Sequence, residues 1–355
     1  MRKLTTFGFF LVLMLLAACS NEAGASQPEA EQEEPQEATE TEEADVVTEE
    51  KDVEETFENV YPLTGEPTND SVDHRVLSVM VNNHTKARPQ SGLSQADVVY
   101  EVLAEGQITR FLALFHSDIP DEIGPVRSAR PYYFELANGF DAVYTYHGAS
   151  AAINEKVAAS GIDYLDGAGY DNNGWLFERD SERAAPHNSF LLSSGIDQAL
   201  AEQGYEAEKE VPALPFSEDV SPAGTEAGNV KVTYYDREIV SYDYDADSEQ
   251  YLRSSDGAPT MDRTNGERIA LDNVFIVRTE HNVIDSAGRR SVDLTSGGDA
   301  YLLQKGTMQE VQWKNVDGRI LPYKDGEALS FAPGQTWVNI IQESSTVEVL
   351  NEGGQ

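Results

Sequence analysis

Five arginines fall within one stretch of an otherwise acidic chain: Arg110, Arg127, Arg130, Arg179 and Arg183. A guanidinium presents a rigid fork of donors that matches a carboxylate or a phosphate. Arg127 and Arg130 flank Ser128, and Pro131 follows at the first turn of a predicted helix. A helix start offers unpaired N–H groups and the positive end of the helix dipole. Arg110, Arg127, Ser128 and Arg130 therefore form a candidate anion site. His187 and Asn188, in the Pro186-His187-Asn188-Ser189 loop, are placed to orient a ligand there. The competing expectation is structural pairing of these arginines with Glu101, Glu105, Glu135, Asp180 or Glu182.

A second set could move protons. His147 ends a predicted strand and His187 sits in a loop, and a neutral imidazole can serve as general base or metal ligand. Glu101 and Glu105 are four residues apart, so on one continuous strand they would face the same side. Paired carboxylates can do acid–base work or form an ion pair with Arg110. His116 could join the histidines, but no two histidines sit at helical ligand spacing, so no metal site is expected. The Asp243–Asp247 run mimics the start of a calcium loop but lacks its glycine at the sixth position and its glutamate at the twelfth. HExxH, GxSxG and phosphate-loop motifs are absent, and no cofactor is expected.

The elements that must carry these residues are legible as short apolar runs. Residues 75–83 predict a buried strand, and 97–104 with 108–116 predict a hairpin around Glu105-Gly106-Gln107. A helix follows Pro131 and ends at Asn138-Gly139. Residues 141–148 predict another strand, and Ser150 to Gly161 bracket a second helix. Residues 163–188 read as loop, and a third helix covers 194–203. Residues 206–228 hold little pattern and take the domain boundary. From Val230 the chain reads as strands, with Asp256-Gly257, Asp317-Gly318 and Asp325-Gly326 as turns. The expected class is α+β. A mixed α/β part spans 59–210, and a mostly antiparallel β part spans 229–345.

The N-terminus reads differently. Arg2 and Lys3, an apolar run from Phe9 to Leu16 and the small residues before Cys19 make residues 1–18 a signal peptide. Leu16-Ala17-Ala18-Cys19 resembles the bacterial lipobox, in which the cysteine is acylated. Cys19 is the chain's single cysteine, so it has no disulfide partner within it. Between Ser20 and Glu58 lie sixteen Asp or Glu and one Lys, so 19–58 is expected to be a disordered acidic tether behind a diacylglyceryl anchor. The net charge of −38 argues against nucleic acid as a partner.

The blocks Arg88-Pro89-Gln90-Ser91-Gly92-Leu93, Ala96 to Glu101, Glu105 to Phe111, Gly124 to Arg130 and Ala185-Pro186-His187-Asn188 stand out. They resemble the YerB-like family of bacterial lipoproteins, which carries the DUF3048 domain in two parts. Gly298-Asp299-Ala300, Trp313-Lys314 and Ala332 to Val338 match the second part. The resemblance runs from about Tyr61 to Ile341. It implies a layered body of sheet on sheet with helices outside, and anchoring on the outer face of the cell membrane. It brings no known reaction.

Two functions are expected from these readings. The first is binding of an anionic envelope component, or of a cell-wall partner protein, in the arginine pocket. The second is a hydrolase of wall polymer or phosphodiester, with His147 or His187 as acid–base group, Glu101 or Glu105 as its partner and the arginines stabilising developing charge.

Overall fold

Leu77–Asn82 (β1), Val98–Leu103 (β2) and Thr109–Phe115 (β3) are buried along their whole length, which is why they read as continuous apolar runs rather than alternating ones. They form the middle of a 12-stranded sheet. The computed structural model describes residues 56–235 and 238–350. The signal segment, Cys19 and most of the acidic tether lie outside the described residues.

The chain continues through Pro131–Asn138 (α1), Val143–Tyr146 (β4), Ala151–Ser160 (α2), Tyr164–Asp166 (β5), Phe177–Arg179 (β6), Ser189–Leu192 (β7) and Ile196–Gln203 (α3). Pro131 occupies the first turn of α1, where its missing N–H leaves no bond unmade. Gly161 ends α2 in the left-handed region, as its position suggests. Ser150 stands at the N-cap of α2, yet its hydroxyl makes no capping hydrogen bond. The stretch expected as loop, 163–188, carries β5 and β6.

The second half supplies Asn229–Tyr235 (β8), Glu238–Asp245 (β9), Gln250–Ser255 (β10), Asn273–Thr279 (β11), Gly298–Gln304 (β12), Thr307–Val316 (β13), Arg319–Lys324 (β14), Thr336–Gln342 (β15) and Thr346–Val349 (β16). Asp317-Gly318 and Asp325-Gly326 take positive φ at both positions, the backbone that tight hairpins demand.

The large sheet runs β14–β13–β12–β11–β15–β2–β3–β1–β4–β5 in its central path. Strands from 59–210 and from 229–345 are thus neighbours in one sheet. The join is β15 lying parallel to β2, with Asn339 opposite Glu101. One face of the sheet packs on α1 and α2 through Met80, Tyr100, Leu112, Tyr133, Leu136 and Val157. The other face packs on a second sheet, β10–β9–β8–β16, through Val81, Phe111, Val232, Val240, Tyr242 and Trp337. The resulting order of layers is helices, sheet, sheet, which is the α+β sandwich expected from the sequence.

Phenol hydroxyls fix α1 to the β2–β3 hairpin. Tyr132 donates to the Leu103 carbonyl (3.0 Å), and Tyr133 reaches the carbonyls of Val102 and Arg110 (each 2.9 Å). That docking sets Arg130, the last residue before α1, beside the hairpin turn.

Candidate anion site

Glu105 is the hub of the arginine cluster. It lies in the turn after β2, which ends at Leu103, so Glu101 and Glu105 do not share one strand face. Arg110, nearly buried on β3, donates to Glu105 Oε2 (2.6 Å) and to the Ser128 carbonyl (3.1 Å). Arg130 donates through Nε to Glu105 Oε1 (2.5 Å). Burial works against the Glu105 carboxylate, but Arg110 and Arg130 together outweigh it and hold its pKa below the usual value.

Arg127 completes the set without an acid of its own. It lines a cavity of about 150 Å³ with Arg110, Glu105, His84 and His187. Among the described residues its guanidinium makes neither a side-chain hydrogen bond nor an ion pair. Burial lowers its pKa to about 10, and repulsion from Arg110 and Arg130 adds to the effect against the weaker pull of Glu105. Three guanidiniums thus face one carboxylate.

The two histidines at this cavity have their hydrogens placed by their neighbours. The His84 backbone N–H donates to Asn82 Oδ1 (3.0 Å), which fixes the Asn82 amide. Its Nδ2 then lies 2.8 Å from His187 Nδ1. An amide nitrogen can only donate, so His187 Nδ1 accepts and Nε2 carries the hydrogen. By the same logic the Lys86 N–H occupies His84 Nδ1 (3.1 Å), leaving Nε2–H as that ring's donor. The rings lie 4.6 Å apart. Burial, then nearby cations, lower both pKa values below the ordinary imidazole value. The cavity therefore combines an unpaired guanidinium with two neutral imidazoles whose Nδ1 atoms are already occupied.

The other candidates go elsewhere. Asn188 turns away, accepting from Arg179 (2.8 Å), and Arg179 is clamped on Asp171. His147 belongs to that second group: its Nδ1 lies 2.7 Å from Ser189 Oγ, and its Nε2 lies 3.8 Å from Asp171. Ser128 enters the arginine cluster through its carbonyl. Arg183 donates to the carbonyls of Ala87 and Pro89 (each 2.8 Å). Glu101 is fully buried in a third group, bound by Arg253 (2.8 Å), Trp337 Nε1 (2.9 Å) and Thr109 Oγ1 (2.8 Å). Arg253 is itself fully buried, stacked on Trp337. His187, Glu105 and the arginines meet at one cavity; Glu101 and His147 do not join them. The combinations that use Glu101 or His147 are therefore not assembled, whereas His187 and Glu105 share the arginine cavity.

Two participants escaped sequence reading. Asn82 is the last residue of β1 and His84 lies two residues beyond it, and the signal for them is the abrupt Asn82-Asn83-His84 run that ends an apolar strand. Asn82 and Asn83 are buried there, and a buried polar run must be satisfied by specific partners, which is why it marks a candidate site.

Sheet, layers and arginine pocket together define a two-part protein whose halves are threaded through one sheet. The chain belongs to the DUF3048 family: residues 63–206 match the N-terminal domain and 230–338 the C-terminal domain of a protein of unknown function. It is 45% identical over 297 residues to a Bacillus subtilis (strain 168) protein named "Putative lipoprotein YerB", covering 82% of this chain and 89% of that one. The crystal structure of YerB from Bacillus subtilis superposes with a TM-score of 0.76 at 44% identity, covering 82% of this chain and 99% of the other.

Proposed function

We propose that this protein is a membrane-anchored binding lipoprotein on the outer face of the cell membrane, and that Arg127, Arg110 and Arg130 hold an anionic group of an envelope component. The observation that carries this is the charge balance of the pocket: Arg127 is left unpaired beside two guanidiniums that share Glu105. A desolvated cation without a partner is costly, and an incoming phosphate or carboxylate supplies the missing charge. His84 and His187 add neutral Nε2–H donors at the same cavity. Ligand binding rather than hydrolysis is favoured because no candidate general base stands free there: Glu105 is bound on both oxygens by arginines.

Titration calorimetry with sulfate tests the reading. Arg127→Ala is expected to weaken binding at least tenfold without lowering the thermal melt, since among the described residues its side chain makes no hydrogen bond or ion pair and its loss relieves repulsion from Arg110 and Arg130. Equal affinity in both proteins overturns the pocket.

Anchoring rests on Leu16-Ala17-Ala18-Cys19 and on the name of the B. subtilis relative. Cys19→Ala should move the protein from washed membranes to the soluble fraction. Retention on membranes rules out a lipid anchor at this cysteine.

A further inference from the structure

The arginine cavity does not end at His84. His84 and Ile108 also line a larger cavity of about 470 Å³, whose walls include Asn83, Thr85, Gln107 and Glu238. Asn83 and Arg88 in turn line a third cavity of about 250 Å³. Shared wall residues set these cavities side by side along a groove with three characters. Its first part is cationic. Its middle is polar, built from amide, hydroxyl and carboxylate side chains. Its far part is mostly apolar, walled by Pro89, Ala258, Pro259 and Met261, with the buried Arg253 beneath.

The middle is a built site. Glu238 is almost fully buried and is held by Asn83 (3.2 Å), Arg88 (2.9 Å) and Ser255 (3.2 Å), all on Oε1. Among the described residues nothing donates to its Oε2. Gln107 Oε1, in the same wall, is buried without a hydrogen-bond partner. Arg253 Nε, at the far part, is likewise buried and unpartnered. The unmet Gln107 acceptor, among amide and hydroxyl walls, calls for a ligand that brings donors, as sugar hydroxyls do. The far part suits a small apolar group that also carries an acceptor, which describes an acetamido group: a methyl for the proline and methionine walls, a carbonyl for the partly exposed Arg88 that lines the same cavity. A long acyl chain is disfavoured, because it would have to cross the polar middle without satisfying it.

We propose that the groove binds a phosphorylated, N-acetylated glycan of more than one sugar unit, phosphate at Arg127 and acetamido group at Met261. This rests on the anion-pocket reading and adds the ligand's class and direction. An inorganic anion would leave the second and third cavities unused, and together they reach the size range of small-molecule sites.

The test is calorimetry on the full chain with three probes: inorganic phosphate, N,N′-diacetylchitobiose 1-phosphate and its de-acetylated counterpart. The acetylated disaccharide phosphate should bind at least tenfold tighter than phosphate, and the de-acetylated one should lose most of that gain. Ala258→Trp, a plug at an exposed position of the far cavity, should remove the gain and leave phosphate affinity intact, with an unchanged melt. Equal affinity for phosphate and both sugars overturns the glycan proposal while the anion pocket stands. Tighter binding of a phosphoserine peptide than of the disaccharide phosphate also overturns it. Failure of every probe, phosphate included, removes both readings.

Discussion

Glu101 is a fully buried charged group and Arg127 a half-buried one, and they respond oppositely to substitution. Glu101 is bound by three donors and balances the charge of a guanidinium with no exposed surface. Glu101→Gln keeps the volume but strands Arg253 as a buried unpaired cation. Urea denaturation should show a loss of about 3–5 kcal/mol, the usual cost of breaking one side of a buried pair. A loss near zero would mean that Trp337 and Thr260 alone carry Arg253. Arg127 offers no such contact, so its removal relieves repulsion instead. The sequence exposes the arginines easily because they stand out against acidic surroundings. It does not show which ones are free. Glu105 takes Arg110 and Arg130 by turn geometry, whereas Arg253 and Glu238 reach their partners from more than 130 residues away. Side-chain spacing carries no information about such encounters.

At the level of elements, the hairpin of β2 and β3 and the helix α1 were readable nearly to the residue, because apolar runs end on Glu105-Gly106-Gln107 and on Asn138-Gly139. The short strands β5 and β6 were not, since each is three residues long and carries charge, Gly167, Gly169 and Gly174 lie between them, and their pairing comes from neighbours rather than from propensity. One element contact binds the two halves at close range. The Gly139 backbone after α1 meets the Gly318 backbone in the β13–β14 turn, and a methyl on Gly139 would overlap it. Both sides are main chain, so neither can swing aside. Gly139→Ala should therefore destabilise by about 1–3 kcal/mol, as overpacking does, read as a lowered melting temperature. Gly204→Ala is a useful contrast: it is strained by its positive φ but meets no neighbour. If Gly139→Ala melts like wild type, α1 is not held against that turn.

For the molecule as a whole, buried acids set how stability varies with pH. Burial is the main cause raising Asp97 to about 7, against hydrogen bonds from Ser117 and His116 that lower it. Its folded pKa lies above the unfolded value of 3.8, so its contribution is complete below about pH 4 and is lost as pH rises to about 7. Glu238, also raised to about 7 chiefly by burial, adds the same trend. His116, lowered to about 4, and His281, lowered to about 3, work the other way: their share is lost as pH falls below the ordinary histidine value. Asp97→Asn should gain melting temperature over wild type at pH 8 and little at pH 5. An equal difference at both pH values would remove Asp97 from this account. The layer order was legible because helix and strand runs separate cleanly along the chain. The sheet order was not: β15 meets β2 in parallel across more than 200 residues, and periodicity says nothing about which strand a given edge will accept. That insertion has a consequence for biosynthesis. A ribosome releases β2 early and β15 among the last strands, so the middle of the sheet stays open while most of the chain is being made. A product cut short before Thr336 would retain an uncovered apolar strand edge, the kind of surface that proteases and aggregation act on. The fold thereby makes its own completeness a condition of survival.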